Sequence, residues 1–308
     1  MLGRTGLEVT KLGYGAMELR GPAGGRGRTI DPADAHAILH AVLDAGINFI
    51  DTSPDYGDSE ELIGAAISGR RDEFFLASKC GCPIDQPTPP EGERPPHVFT
   101  PENIRAGVEQ SLRRMNVDHI DIVQFHVSPS REQLEEHGAV EALVALRDEG
   151  KIRFLGMSGT LPNLPDHIAM DVFDAFQIPY SALEREHEHV ITDAATAGSG
   201  TIIRGGVARG QPDKMPAVAD LPAPWAEAMQ QMAQTQRDRW EASDLDDLLD
   251  GATRSEFTLR FTLSHPDMHT TIVGTANPDH LAANVAAAAK GALPSDVYDE
   301  AKRRLAAT

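Results

Sequence analysis

The chain has 308 residues, 41% of them hydrophobic, which is enough for one large core, and a single domain spanning 1–308 is expected. Its formal net charge of −19 repels phosphate backbones and anionic membrane surfaces, so neither nucleic acid nor membrane is an expected partner. The chain contains no uncharged apolar run of the roughly 18 residues that a membrane span requires. The opening Met-Leu-Gly-Arg-Thr-Gly-Leu-Glu-Val-Thr holds no apolar signal core, and a soluble cytoplasmic location is expected.

In chain order, a β-hairpin is predicted over Leu2–Val9. Strands follow near Leu12–Met17, Ile47–Asp51, Phe74–Lys79, Ile120–His126, Arg153–Ser158, Ala175–Tyr180, Thr201–Gly205 and Thr270–Gly274, with helical stretches between them. Strands alternating with helices imply consecutive βα units and a parallel sheet, and eight of them imply closure. The expected fold class is therefore α/β, a (β/α)8 TIM barrel with an amino-terminal β-hairpin and a long insertion after the seventh strand. Asp31-Pro32, Thr100-Pro101 and Asn277-Pro278 each place a capping side chain before a proline at the first helical position. Ile104, Val108, Leu112 and Met115 recur at helical spacing, as do Val140, Leu143 and Val144, with Gly150 as a stop signal.

Three stretches break the alternation: glycine-rich Gly21–Arg28, proline-rich Cys82–Phe99, and Gly206–Asp250, which carries Trp225 and Trp240. All three follow strand carboxyl ends, the face on which barrels build their sites. They are expected to wall a pocket with Met17, Leu19 and Pro54. The two cysteines, Cys80 and Cys82, are too close together for an ordinary disulfide and too few for a zinc site without histidine or carboxylate help, so no metal is expected. His187 and His189, in a Glu-His-Glu-His run, are read as a solvated helix face.

Asp51 and Tyr56 in Ile-Asp-Thr-Ser-Pro-Asp-Tyr-Gly, Lys79 in Phe-Phe-Leu-Ala-Ser-Lys and His126 in Asp-Ile-Val-Gln-Phe-His stand at or just beyond strand carboxyl ends. An acid, a phenol, an amine and an imidazole gathered there can deliver a proton to a carbonyl oxygen as a hydride reaches the carbonyl carbon. Tyr56 is the expected general acid, and Lys79 is expected to lower its pKa. Asp51 would keep Lys79 charged, and His126 would donate to the substrate carbonyl. A lyase or isomerase would instead need a metal–carboxylate cluster or a Schiff-base lysine in an apolar pocket.

Leu2-Gly-Arg-Thr-Gly-Leu-Glu-Val, Leu12-Gly-Tyr-Gly-Ala-Met, Ile47–Gly57, Ser78-Lys79, Val117–His126, Gly156-Met-Ser-Gly and Ile272–Asn284 together resemble the aldo-keto reductase family, in the family's order and over almost the whole chain. The resemblance implies an NAD(P)H-dependent oxidoreductase that reduces an aldehyde, ketone or keto-sugar, or runs the reverse reaction. The alternatives are a noncatalytic regulatory subunit on the same fold, like the potassium-channel β subunits, and an NAD-dependent alcohol or sugar dehydrogenase.

By the same resemblance Ser158 and Gln177 bind the nicotinamide carboxamide, with Gly159 standing where the family often has Asn. Ala16, Met17 and Asp51 belong to the implied cofactor set. So do Arg204, Gly205, Gly206, Val207 and Arg209 in the loop after the seventh strand, which wraps the pyrophosphate. Gly274, Thr275, Asn277 and His280 fall at the adenosine 2′-phosphate and Asn284 near the adenine. NADPH is the implied cofactor. NADH is also expected to serve, because no Arg or Lys stands at the 2′-phosphate positions.

Overall fold

Eight strands, β1 (Leu12–Gly15), β2 (Phe49–Asp51), β3 (Phe75–Cys80), β4 (Ile120–Phe125), β5 (Ile152–Ser158), β6 (Ala175–Pro179), β7 (Gly200–Arg204) and β8 (Thr270–Val273), pair in parallel in chain order. The barrel closes through β8 on β1, with Leu12 opposite Thr271 and Tyr14 opposite Val273. This is a computed structural model, and it describes residues 1–20, 29–84, 96–207 and 223–306. The expected positions 21–28, 85–95 and 208–222, which include Arg209, lie outside the described residues, as does the side chain of Trp225.

The helices are α1 (Pro32–Asp44), α2 (Ser59–Ile67), α3 (Pro101–Met115), α4 (Arg131–Glu136), α5 (Ala139–Asp148), α6 (Leu164–Ala169), α7 (Glu188–Thr196), α8 (Ala223–Ala242), α9 (Arg254–Leu263), α10 (Pro278–Ala289) and α11 (Ser295–Leu305). The three proline-marked starts are α1, α3 and α10. Asp31, Thr100 and Asn277 each accept a backbone N–H of the first turn, satisfying a donor the helix leaves open. Ile104, Val108 and Met115 of α3 are buried against the barrel, and α5 stops where Gly150 takes φ +77°, a region that glycine enters without a Cβ penalty. Among the described residues no helix is long and apolar enough to cross a membrane.

The expected amino-terminal hairpin is absent. Residues Gly3–Thr5 form a 3-10 turn, and Leu2 N–H donates to Leu7 O at 2.8 Å, closing a compact plug without strand pairing. The reason lies in packing. A Cβ on Gly3 would lie 2.3 Å from Gly200 N, so the turn is pressed against the start of β7, and Leu2 and Leu7 are buried with Phe49, Ala77, Ile122, Ala175 and Ile202. These residues fill the barrel from its amino-terminal end. The remaining core lies between the barrel and its helices. Trp240, expected at the pocket, belongs to that outer core: it is fully buried, lies edge-on to Phe257 and donates its indole N–H to Asp246.

Candidate active site

Two residues beyond the apolar plug, the same strands turn polar. Asp51 follows Phe49, Lys79 follows Ala77, Gln124 follows Ile122, Gln177 follows Ala175 and Arg204 follows Ile202. Side chains two apart on a strand share a face, so the residues that plug the barrel are continued at its carboxyl end by the residues of the site.

Lys79 Nζ donates to Asp51 Oδ2 at 2.6 Å and to Thr52 O at 3.0 Å, with both side chains almost completely buried. Gln124 Nε2 at 2.7 Å and Gln177 Nε2 at 2.8 Å donate to the same carboxylate oxygen. One oxygen is thus held by an ammonium and two amides from three other strands, a dense compensation for a buried charge. Gln124 was missed from sequence. Its place two residues after Ile122 on β4 was the available signal.

Tyr56 stands half-buried in the loop after β2. Its ring lies 6.3 Å from that of His126, at 82°, and the Arg20 guanidinium sits over it at 5.8 Å. Burial raises the Tyr56 hydroxyl pKa far above its ordinary value, and the Asp51 charge adds to the rise; Arg204 and Arg20 oppose it. Lys79, expected to lower this pKa, has its ammonium engaged by Asp51 and Thr52 O. Arg20 was not anticipated as part of the site.

His126 follows β4. Burial pushes its pKa down and a hydrogen bond with Asp55 pushes it up, the net being a lowered value that favours the neutral ring. Its Nδ1 lies 3.2 Å from His97 Nε2, 3.3 Å from Asp55 Oδ2 and 3.5 Å from Cys82 Sγ. His97 Nε2 lies 3.2 Å from the same Asp55 oxygen, and all four ligand-type atoms are within 4.8 Å of one another. Burial opposes ionisation of Asp55, but hydrogen bonds from His126 and His97 hold its pKa far below the carboxylate range. Burial and the Asp55 charge push the Cys82 thiol well up. The sequence pattern assigned no role to Asp55 or His97.

The described residues of the expected cofactor set fall in or after β1, β2 and β5 to β8. Ser158 Oγ donates to Gln177 Oε1 at 3.3 Å, so the two residues implied for a carboxamide touch each other at the ends of β5 and β6. Gly159 has a packing reason: a Cβ there would lie 2.6 Å from Leu164 Cδ2, so α6 fills the space an asparagine would need. Ala16 is fully buried, its carbonyl accepting from Ser59 Oγ, while the neighbouring Met17 is exposed. After β7, Gly205 takes φ +77°, and a Cβ on Gly206 would lie 2.4 Å from Thr271 Oγ1. Val207 packs against the outer core. Thr275 is buried and its Oγ1 accepts the Asn277 N–H, while Gly274, Asn277 and His280 are exposed and Asn284 is half-buried. Asp279, in the first turn of α10, adds negative charge beside His280.

His187 does not lie on a wet face. It is buried and its Nε2 accepts the Leu161 N–H at 3.0 Å, a fold-supporting bond between the loop after β5 and the start of α7.

A parallel barrel with a buried acid–lysine pair, a phenol and an imidazole at its carboxyl mouth defines an oxidoreductase of the aldo-keto reductase class. The Aldo/keto reductase family model matches residues 11–305, and the chain belongs to that family. It is 26% identical to the oxidoreductase YqkF of Bacillus subtilis over 93% of this chain and 90% of that protein. It is 31% identical to the NADH-specific methylglyoxal reductase of Escherichia coli over 61% of this chain and 60% of that protein. Among solved structures, the aldo-keto reductase AKR11C1 from Bacillus halodurans in its holo form superposes with a TM-score of 0.81 at 26% identity, covering 99% of this chain and 95% of that one.

The family uses nicotinamide cofactors, and the residues present fit one. The ends of β1 and β8 carry Gly15 and Gly274, so close that a Cβ on Gly274 would lie 2.7 Å from Gly15 O. Neither glycine puts a side chain of its own on that stretch of rim. The glycine turn after β7 and the amino-terminal end of α10 are places where backbone N–H groups suit phosphate oxygens.

Proposed function

We propose that this enzyme reduces a small aldehyde, ketone or keto-sugar to the alcohol, or runs the reverse oxidation, with Tyr56 as the proton donor. The reading is carried by one observation: the buried 2.6 Å Lys79–Asp51 pair lies near enough for its charges to act on Tyr56 and His126, whose rings meet edge-on at 6.3 Å.

A reduced nicotinamide supplies the hydride. As the carbonyl becomes an alkoxide, Tyr56 gives up its phenolic proton to that oxygen. The raised pKa keeps the phenol protonated at neutral pH, and so in the form that can donate. Arg20 and Arg204 steady the phenolate left behind. His126, beside Tyr56, hydrogen-bonds the carbonyl oxygen and fixes its orientation. Lys79, Asp51, Gln124 and Gln177 form the floor that holds these groups in place. Ser158 and Gln177 hold the carboxamide, with Gly205 and Gly206 at the pyrophosphate and Thr275, Asn277 and His280 at the adenosine end.

NADPH is the favoured cofactor by only a modest margin, because exposed His280 beside Asp279 gives a 2′-phosphate little fixed positive charge. The test is absorbance at 340 nm with purified protein, each reduced nicotinamide in turn, and a panel of aldehydes, ketones and keto-sugars, followed by the alcohols with the oxidised cofactors. Turnover with members of the panel supports the reading, and silence across the whole panel in both directions overturns it.

A further inference from the structure

Beside the Tyr56–His126 pair, four side chains from the loops after three successive strands converge on one point. Asp55 follows β2, Cys82 follows β3, His97 lies shortly before α3, and His126 follows β4. We propose that Asp55 Oδ2, Cys82 Sγ, His97 Nε2 and His126 Nδ1 form a closed, four-ligand site for a divalent cation of the zinc class.

The spacing carries the argument. The edges His97 Nε2–His126 Nδ1, His97 Nε2–Asp55 Oδ2 and His126 Nδ1–Asp55 Oδ2 are 3.2, 3.2 and 3.3 Å, and His126 Nδ1–Cys82 Sγ is 3.5 Å. A tetrahedron of nitrogen and oxygen ligands at zinc bond lengths has edges of about 3.3 Å, and its edges to sulfur are about 3.6 Å. All four of these distances fall within a few tenths of an ångström of those values.

Hydrogen bonds to Asp55 account for only part of this arrangement. The three near-equal edges put the two nitrogens about 60° apart as seen from Asp55 Oδ2, about half the angle between the lone-pair directions of a carboxylate oxygen. The N···O contacts are also longer than the roughly 2.7–2.9 Å of charge-assisted bonds. A cation at the common centre satisfies all four atoms at once.

The charges agree. Cys82 is buried, and the other three ligands are partly buried. A thiolate and a carboxylate neutralise a divalent cation while two neutral imidazoles complete its shell, so the occupied site carries no net charge into a desolvated region. Thiolate and imidazole donors in a tetrahedron select zinc over magnesium or calcium. The loop ends are already gathered: Asn103 Nδ2 donates to Cys82 O at 3.1 Å and to Val98 O at 2.8 Å, and Val98 N–H donates to Gly81 O at 2.8 Å. The site is thus pre-assembled by contacts that do not use the ligating atoms.

Four protein ligands leave no open position, so the cation organises the site and takes no substrate. Bound to Nδ1 of His126, it leaves the ring proton on Nε2, the tautomer a donor to a carbonyl needs. That consequence rests on the proposed carbonyl reduction; the binding itself does not.

The test uses the intact protein. After dialysis against zinc and gel filtration, the wild type should retain about one zinc per chain. Loaded with cobalt instead, it should show the strong visible bands of tetrahedral cobalt and a near-ultraviolet thiolate-to-cobalt band. Cys82→Ser should abolish the thiolate band, and His97→Gln should weaken zinc binding at least tenfold in competition with a chromophoric chelator, with circular dichroism showing both variants folded. The wild-type cobalt spectrum decides the matter even if a variant does not fold. No stoichiometric zinc, a weak octahedral cobalt spectrum, or a thiolate band that survives Cys82→Ser overturns the proposal. None of these readouts depends on turnover, so failure of the metal site and failure of the reductase reading are separate results.

Discussion

Lys79 Nζ and Asp51 Oδ2 lie 2.6 Å apart, on neighbouring strands and out of reach of water, and the same oxygen also takes one amide from β4 and one from β6. A buried pair of this kind is costly to break from one side, because the partner left behind keeps its charge and loses its compensation. Lys79→Met is therefore expected to destabilise the fold by about 3–5 kcal/mol. Adding Asp51→Asn to that variant should recover part of the loss, though activity should stay low in both. Urea unfolding of the two single variants and the double variant measures the coupling, and strictly additive losses would show that the two groups do not act as a pair.

Tyr56→Phe removes only the phenolic oxygen of a half-buried ring. Turnover is expected to fall by roughly 10²–10⁴-fold, the ordinary worth of acid–base catalysis. Cofactor affinity and melting temperature should remain close to wild type. Steady-state kinetics alongside a fluorescence titration of the nicotinamide separates the two effects, and near-normal turnover would remove Tyr56 from the mechanism.

The adenosine end offers a comparison between cofactors. Replacing the exposed His280 by arginine gives a 2′-phosphate a permanent, planar cation near the start of α10. The NADPH Michaelis constant is expected to fall by roughly two- to five-fold, the scale of an exposed ion pair, with NADH unchanged. An equal change for both cofactors would place His280 away from the 2′ position.

Glu60, on α2, is fully buried, accepts from Ser78 Oγ at 2.8 Å and has Arg114 at 3.5 Å. Burial raises its pKa, and Ser111, Ser78 and Arg114 offset only part of the rise. A carboxyl whose folded pKa lies above its ordinary 4.5 favours the fold below that value, and the contribution is lost as pH rises through the folded pKa. Glu60→Gln, which does not ionise, should therefore melt a few degrees above wild type at neutral pH, with the advantage vanishing as the pH falls below about 4. Calorimetry across that range checks the sign. A variant that melts lower at neutral pH would mean that the charged contact with Arg114 outweighs the burial of Glu60.

Strand and helix positions were legible in the sequence because they depend on local rules. The strand ends come within two residues of expectation, and the three proline-marked helix starts hold, since capping and the missing proline N–H act over a few residues. The amino-terminal segment fails that logic. Leu2 to Val9 has the look of a hairpin, yet its conformation is set by the barrel floor, where Gly3 must lie against Gly200 and Leu2 must fill the space between the strands.

For the site, the sequence by itself placed Asp51, Tyr56, Lys79 and His126 at strand ends, because a residue's position along a strand fixes the end of the barrel at which it emerges. Tertiary structure alone decided which groups meet. Gln124 reaches Asp51 across 73 residues of chain, Arg20 sits over the Tyr56 ring, and His97 meets His126 across 29 residues. Contacts of that kind depend on how the closed barrel brings neighbouring strands and the loops above them into register, which no local pattern encodes.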